Sequence, residues 1–320
     1  VKIPPSTIVL TGATGFIGSA VFAELNRRKI RVLVLLRPES DRSRLPQLAP
    51  ENVFIFSKLN EPELVKKLRA EQPAIFVHCA WRGVGGQERN AGFQLAENIP
   101  LTLASVELAK ACGCTQWVGL GSQAEYGNAN RILDEMSPTQ PTTLYGKAKF
   151  TAGNESLALC AQKNLAGAWL RVFSTYGPGD HSHWMIPHVI REFLSGRAPQ
   201  VTKCEQLWDY LFVADAARAI VSVADGKTSG IFNLGSGEAR PLKKIIETIR
   251  AELKTQVQPA YGAIPYRPDQ VMHLQADIAK LRAATGWSPQ VSLESGIRET
   301  VAHEKKLFET GGALVKETAS

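Results

Sequence analysis

Short apolar runs alternate along the first half of the chain with longer stretches whose apolar positions recur at helical spacing. Ile8-Val9-Leu10 is apolar, Ile17 to Arg28 carries apolar residues three and four apart, and Val32 to Leu36 is apolar throughout. These patterns predict strand, helix and strand. The alternation continues with a strand over Val53 to Phe56, a helix over Glu61 to Glu71, and a strand over Ala74 to Val77. A long helix over Gln94 to Ala111, a strand over Trp117 to Leu120, a helix over Tyr145 to Lys163 and a strand over Ala168 to Val172 follow. Strands separated by helices pair in parallel, and a parallel sheet needs helices on both faces, so the predicted class is α/β with a doubly wound parallel sheet.

After Tyr176 the regularity changes. A segment rich in Gly, Pro and His (Gly177 to His181, Pro187) precedes a helix near Val189 to Ser195, and a Pro-rich stretch runs from Pro259 to Pro268. A smaller α/β substrate-binding lobe is expected here. Tyr210 to Val213 and a helix over Ala214 to Asp225 are expected to return to the main sheet. Residues 1–176 and 208–234 would then form the sheet domain, and residues 177–207 and 235–320 the lobe. The residues from about Gly311 onward are expected to fray.

Composition narrows the class. With 320 residues, 44% of them hydrophobic, the chain can bury a large core, which excludes a disordered or fibrous protein. The longest apolar runs are too short to span a bilayer and no basic-then-apolar leader opens the chain, so a cytoplasmic protein without membrane contact is expected. Cys79, Cys112, Cys114, Cys160 and Cys204 form neither an even framework nor a CxxC pair, which leaves a disulfide scaffold and a zinc ribbon without support. The net charge of +7 is scattered over single and paired Lys and Arg, a pattern that suits a small anionic substrate better than nucleic acid. His181, His183 and His188 have no acidic partner at ligand spacing and Pro187 interrupts their helix, so no metal is expected.

Gly12-Ala-Thr-Gly15-Phe-Ile-Gly18 stands between the first strand and the first helix. Backbone that bends tightly there can approach a pyrophosphate, and the helix N-terminus offers free N–H groups to it. An acidic residue at the end of the second strand would hold the ribose 2′-OH of NAD. Here Arg37 follows Leu36, with Ser40, Arg42, Ser43 and Arg44 close behind. Such a cluster suits a 2′-phosphate, so NADP(H) is favoured and NAD(H) is the alternative, with Arg37 to Arg44 then a solvated loop.

Tyr145-Gly-Lys-Ala-Lys149 puts a phenol and an ammonium on one face at the start of a helix. A phenol titrates near about 10 in water, and an adjacent cation moves it toward the working range of an acid/base catalyst. Gly119-Leu-Gly-Ser122 ends the preceding strand, which brings Ser122 to the carboxyl edge where the glycine turn lies. These residues, with Tyr126-Gly127, Leu170-Arg-x-Phe-x-x-Tyr176-Gly-Pro-Gly-Asp180, Asp209-Tyr-Leu-Phe-Val-Ala-Asp215, Phe232 to Ser236 and Gly286-Trp-Ser-Pro289, resemble the extended short-chain dehydrogenase/reductase family, in its epimerase/dehydratase group.

The resemblance implies a Rossmann-type sheet, with Tyr145 as general acid/base, Lys149 tuning it and holding the nicotinamide ribose, and Ser122 on the reacting oxygen. Cofactor contacts are implied at Gly12, Thr14, Gly15, Phe16, Ile17, Gly18, Arg37, Leu59, Cys79, Ala80, Tyr145 and Lys149. Substrate contacts are implied at Trp81, Arg82, Ser122, Gln123, Ser174, His181 and Arg267, with Arg267 on the diphosphate of a nucleotide-linked sugar. The chain departs from the family pattern at Ser174 (usually Asn), Trp208 (usually Arg) and Lys58 (usually Asp). The glycine-rich Ala80 to Gly86 suggests a mobile lid or a plain flexible loop.

Among the family's reactions, Gln123 and Ala124 replace the carboxylates that protonate the leaving hydroxyl in 4,6-dehydratases, and Glu125 is expected to be structural. A 4-keto-6-deoxyhexose reductase consuming NADPH is favoured, and an NAD-dependent C4 epimerase is the alternative. A non-catalytic dinucleotide-binding regulator would have no need of Ser122, Tyr145 and Lys149 together. A homodimer through the helices over Gln94 to Ala111 and Tyr145 to Lys163 is expected by the same resemblance.

Overall fold

The computed structural model describes residues 7–317. From the N-terminal side the chain builds β1 (Ile8–Thr11), α1 (Phe16–Arg27), β2 (Val32–Leu36), β3 (Val53–Ile55), α2 (Pro62–Ala70), β4 (Ile75–His78), α3 (Phe93–Ala96), α4 (Asn98–Ala111) and β5 (Gln116–Ser122). Next come β6 (Arg131–Leu133), α5 (Leu144–Gln162), β7 (Ala166–Val172), β8 (Ser174–Tyr176), α6 (Met185–Leu194), β9 (Gln200–Val201), β10 (Leu207–Phe212), α7 (Val213–Asp225) and β11 (Gly230–Leu234). The chain ends with β12 (Ala239–Pro241), α8 (Leu242–Leu253), β13 (Ala260–Tyr261), β14 (His273–Ala276), α9 (Ala279–Thr285) and α10 (Leu293–Glu317).

Seven parallel strands form the main sheet in the order β11-β7-β5-β4-β1-β2-β3. Every residue of β1, β2, β4 and β5 is buried, because helices cover both faces. Ile8, Leu10, Val32, Val34 and Leu36 face α1 and α7, while Val9, Leu33, Leu35 and Phe76 face α2, α4 and α5. The chain leaves β1 for β2 on one side and returns to β4 on the other, so the crevice at this switch point opens at the carboxyl ends, beside Thr11, His78 and Ser122.

A second sheet, β12-β10-β14-β6 with β8 on β10, carries a third core built with α6, α8 and α10. The strand expected to return to the main sheet, β10, belongs here instead. Its Asp209 is fully buried and accepts hydrogen bonds from Ser236 N, Ser236 Oγ and Gly237 N, in the turn between β11 and β12, and from Ala276 N of its neighbour β14. An apolar Leu-Phe-Val run reads the same in either sheet. β6 and β8 also leave the expected sheet domain, and β11 is the strand that returns to it.

Three further corrections concern helices. The long helix expected over Gln94 to Ala111 is broken into α3 and α4, because Pro100 has no N–H to give to the carbonyl of Ala96. Pro187 does not interrupt α6; it lies in the first turn, where a missing N–H costs little, and the helix starts at Met185. Helix α10 carries the chain through the region expected to fray as far as Glu317, and residues 318–320 lie outside the described residues. No helix among the described residues is long and apolar enough to cross a membrane.

Candidate active site

The turn after β1 is a close fit of backbone against backbone. Gly12 has φ +71°, and a Cβ there would stand 2.5 Å from Ala80 N and 2.6 Å from the Cys79 carbonyl carbon. A Cβ on Gly18 would meet Gly12 O at 2.0 Å. Gly15 N donates to Gly12 O at 3.0 Å, and Gly15 is the N-cap of α1 without a side-chain cap. The helix therefore starts with N–H groups facing the crevice, the environment a pyrophosphate requires. Phe16 and Ile17 are half-buried in its first turn.

Around this turn, Arg44 donates to Thr14 O at 3.3 Å and to Gly179 O at 3.1 Å, linking the glycine turn to the loop after β8. Arg37 follows β2 directly; its N donates to Ser40 Oγ, and its exposed guanidinium lies 3.9 Å from Glu39. Leu59 is buried in the core beneath the sheet, which leaves its main chain as the part that can face the crevice. Cys79 closes the wall behind Gly12, and burial pushes its thiol up to about 12. The residues fit a dinucleotide: glycines at 12 and 18 let the turn fold tightly on its own main chain, and the N-terminus of α1 is left without a side-chain cap.

Ser122 ends β5 and caps a 3-10 turn over Gln123–Glu125. Its Oγ accepts from Ala124 N at 3.2 Å, while Glu125 Oε1 accepts from Ser122 N at 2.9 Å. Glu125 also accepts from Trp169 Nε1 at 2.9 Å and from Arg171 Nε at 2.8 Å, and both ionic partners are almost wholly buried. This carboxylate is buried and holds the turn in place through three hydrogen bonds, in line with a structural role.

Tyr145 lies in the first turn of α5, which Thr143 caps through Gly146 N at 3.1 Å. A Cβ on Gly146 would stand 2.5 Å from Ala124 O, so glycine lets the helix press against the Ser122 turn. Burial pushes the Tyr145 phenol up; the Ser122 hydroxyl and the charge of Arg89 pull it back. Lys149, one turn on, donates from Nζ to Leu120 O at 2.7 Å and lies 3.5 Å from the Trp81 ring centroid. Burial pulls Lys149 down to about 7.

Trp81 meets Tyr145 edge-on, with centroids 6.0 Å apart, and its Nε1 donates to Gln94 Oε1 at 2.9 Å. The loop after β4 is pinned along its length. Gln94 Nε2 donates to Gly83 O and Glu88 O, Asn98 holds Arg82 N and Arg82 O at 2.9 Å each, and Asn90 Oδ1 accepts from Leu144 N at the start of α5. The segment expected to be a mobile lid or a plain flexible loop is thus a tied loop. Arg82 pairs with Glu97 at 2.6 Å and stacks on Phe93, whereas Arg89 is the arginine over Tyr145, 4.8 Å from its ring centroid.

In the lobe, two of the three departures from the family pattern meet each other: Trp208 Nε1 donates to Ser174 Oγ at 2.7 Å. His181 is half-buried beside Asp180, whose carboxyl burial pushes up to about 7, and its ring stacks on His183. Arg267 is exposed on the loop before β14. A cleft of about 350 Å³ lies between Trp208, Tyr210, Arg240, Arg282 and the segment from Pro289 to Leu293. No three His, Cys, Asp or Glu side chains converge among the described residues.

Sequence reasoning missed Arg89, Gln94 and Asn98 as parts of the site, and did not foresee that Arg44 ties the glycine turn to the loop after β8. Arg44 stood in a cluster already visible, but nothing in the spacing of Arg89 or Gln94 marks them.

A family model for the NAD dependent epimerase/dehydratase family matches residues 8–235. The chain is 27% identical to dTDP-glucose 4,6-dehydratase 1 of Escherichia coli (strain K12), over 92% of this chain and 91% of that one. It is 26% identical to dTDP-4-dehydro-6-deoxyglucose reductase of Escherichia coli, over 92% and 96%. The solved structure of MoeE5 in complex with UDP-glucose and NAD superposes with a TM-score of 0.77 at 26% identity, covering 95% of this chain and 99% of that one. With the glycine turn, the Ser122 turn and the Tyr145 helix gathered at one sheet edge, the chain belongs to the NAD dependent epimerase/dehydratase family.

Proposed function

We propose that the protein catalyses the NADPH-dependent reduction of the C4 ketone of a nucleotide-diphosphate-linked 4-keto-6-deoxyhexose. The observation that carries this reading is the turn after Ser122. Gln123 and Ala124 bring no carboxylate, and Glu125 is buried in an ion pair with Arg171 and holds Ser122 N and Trp169, so it is poorly placed to protonate a leaving hydroxyl. Elimination is disfavoured, and hydride with proton transfer remains. The reductase and dehydratase relatives match the chain about equally, so the choice rests on this turn.

When bound by the glycine turn over residues 12–18, a dinucleotide would supply the hydride that the ketone carbon accepts. Tyr145 holds the ketone oxygen and gives it a proton, so the C=O becomes a secondary alcohol and Tyr145 is left as phenolate, to be reprotonated from solvent. Ser122 donates to the same oxygen as negative charge grows on it. Lys149 holds the nicotinamide ribose. The second sheet takes the nucleotide-sugar, with Ser174, His181 and Arg267 toward its sugar and diphosphate.

A C4 epimerase with retained NAD is the second reading. It is favoured by Glu39, whose carboxylate near Arg37 would oppose a 2′-phosphate.

The deciding experiment follows NADPH and NADH optically with a panel of nucleotide-linked 4-keto-6-deoxyhexoses. Stoichiometric NADPH oxidation supports the reductase; C4 inversion without net oxidation supports the epimerase. Tyr145→Phe is expected to lower turnover by about 10²–10⁴-fold with dinucleotide affinity unchanged, measured by steady-state kinetics and calorimetry. Turnover near wild type removes Tyr145 as the acid/base.

A further inference from the structure

The loop after β4 places a second cation on Tyr145. The 3-10 turn over Gly86–Asn90 lies on the start of α5, tied by Asn90 to Leu144 N at 3.1 Å and by Glu88 O to Gln94. This holds the Arg89 guanidinium over the face of the Tyr145 ring, 4.8 Å from its centroid. Arg89 Nε is buried and has no hydrogen-bond partner among the described residues. Lys149 is farther from that ring, at 5.9 Å, and its ammonium already donates to Leu120 O and lies against Trp81.

We propose that Arg89 is a positioning residue of the Tyr145 site: the fixed cation that stabilises the phenolate form of Tyr145, a role the sequence pattern assigns to Lys149. A phenolate carries part of its charge in the ring, so a cation over the face attracts it more strongly than it attracts the neutral phenol. Guanidinium remains charged across the whole working range, whereas a buried lysine does not. Burial pulls Lys149 down to about 7, so its charge is held less firmly than a guanidinium's.

The charged and titratable groups facing Tyr145 from the packed elements are few. Ser122 comes from β5, Arg89 from the loop after β4, Lys149 from α5 itself, and Glu125 from the turn after β5. Glu125 raises the phenol, but its charge is offset by Arg171 at 2.8 Å. His78 faces Lys149 from β4 and is held neutral, pulled down to about 3 by burial. Among the described residues, Arg89 is therefore the one permanent charge of this set with no ion-pair partner, its Nε without a hydrogen bond.

The proposal rests on Tyr145 being the acid/base, but its test needs no substrate. The protein is labelled with carbon-13 at tyrosine Cζ, and the Tyr145 resonance is identified as the one lost in Tyr145→Phe. Its ionisation midpoint is then followed by NMR against pH. Arg89→Met is expected to raise the midpoint by about one pH unit, the size of a part-buried cation–π contact, while Arg89→Lys keeps most of it. Where substrate is in hand, the limb of the pH profile of kcat/KM set by Tyr145 moves up by the same amount in either direction of hydride transfer.

If Arg89→Met does not fold, Arg89→Gln reads the same quantity with a shape closer to arginine. A midpoint unmoved in the neutral variant that folds overturns the proposal, as does an equal rise in Arg89→Lys. Retained turnover in Tyr145→Phe would instead overturn the acid/base assignment and leave the electrostatic result standing.

Discussion

The turn over residues 12–18 and the loop over residues 79–90 share one wall of the crevice, yet different forces hold them. The first is held by main chain: Gly12 against Ala80, and Gly18 against the Gly12 carbonyl. The second is held by side chains that reach it from α3 and α4, Gln94 and Asn98 above all. A backbone-to-backbone fit tolerates one residue type and announces itself as glycine. A side-chain-held loop tolerates many sequences, and its order is invisible until the donors and acceptors are seen together.

Three substitutions separate the two kinds of constraint. Gly18→Ala is expected to do most harm, because its Cβ would meet main chain that cannot move aside. A loss of about 3 kcal/mol in stability and no measurable dinucleotide binding are expected, by thermal unfolding and calorimetry. Gln94→Leu comes next. Gln94 is completely buried and serves Trp81, Asn98, Gly83 and Glu88, so its removal is expected to cost about 2 kcal/mol and to speed amide exchange over residues 83–90, with dinucleotide affinity kept. Equal damage to dinucleotide binding in both variants would show that the two regions are one unit. The smallest effect is expected of Arg37→Asp: a shift of about tenfold from NADPH toward NADH, read as the ratio of kcat/KM values. An unchanged ratio would leave Arg37 to Glu39 and solvent.

The same distinction explains what was legible in the sequence. The main sheet was readable because short runs that are mostly apolar, Ile8 to Leu10, Val32 to Leu36, Ile75 to Val77 and Trp117 to Leu120, are separated by helical stretches. Ser122, Tyr145 and Lys149 were readable because a strand end and a helix start fix which edge they share. The sheet to which β10 belongs was not readable, since Asp209 reveals its partners only through donors that lie 27 to 67 residues away along the chain. Nor was the arginine over Tyr145: Arg82 and Arg89 stand in the same loop, and Glu97 rather than any spacing rule takes the first of them away.

The second sheet has a consequence for biosynthesis. The main sheet is complete once β11 has left the ribosome at Leu234, but β6, made a hundred residues earlier, pairs with β14 at residues 274–276. Asp209 lacks a donor until Ala276 emerges, and Asp215 lacks Gln290 N and Val291 N until later still. A nascent chain therefore carries a finished nucleotide fold beside a half-built lobe with an open strand edge and two carboxylates awaiting their partners, the kind of interval in which chaperones and proteases compete for a protein.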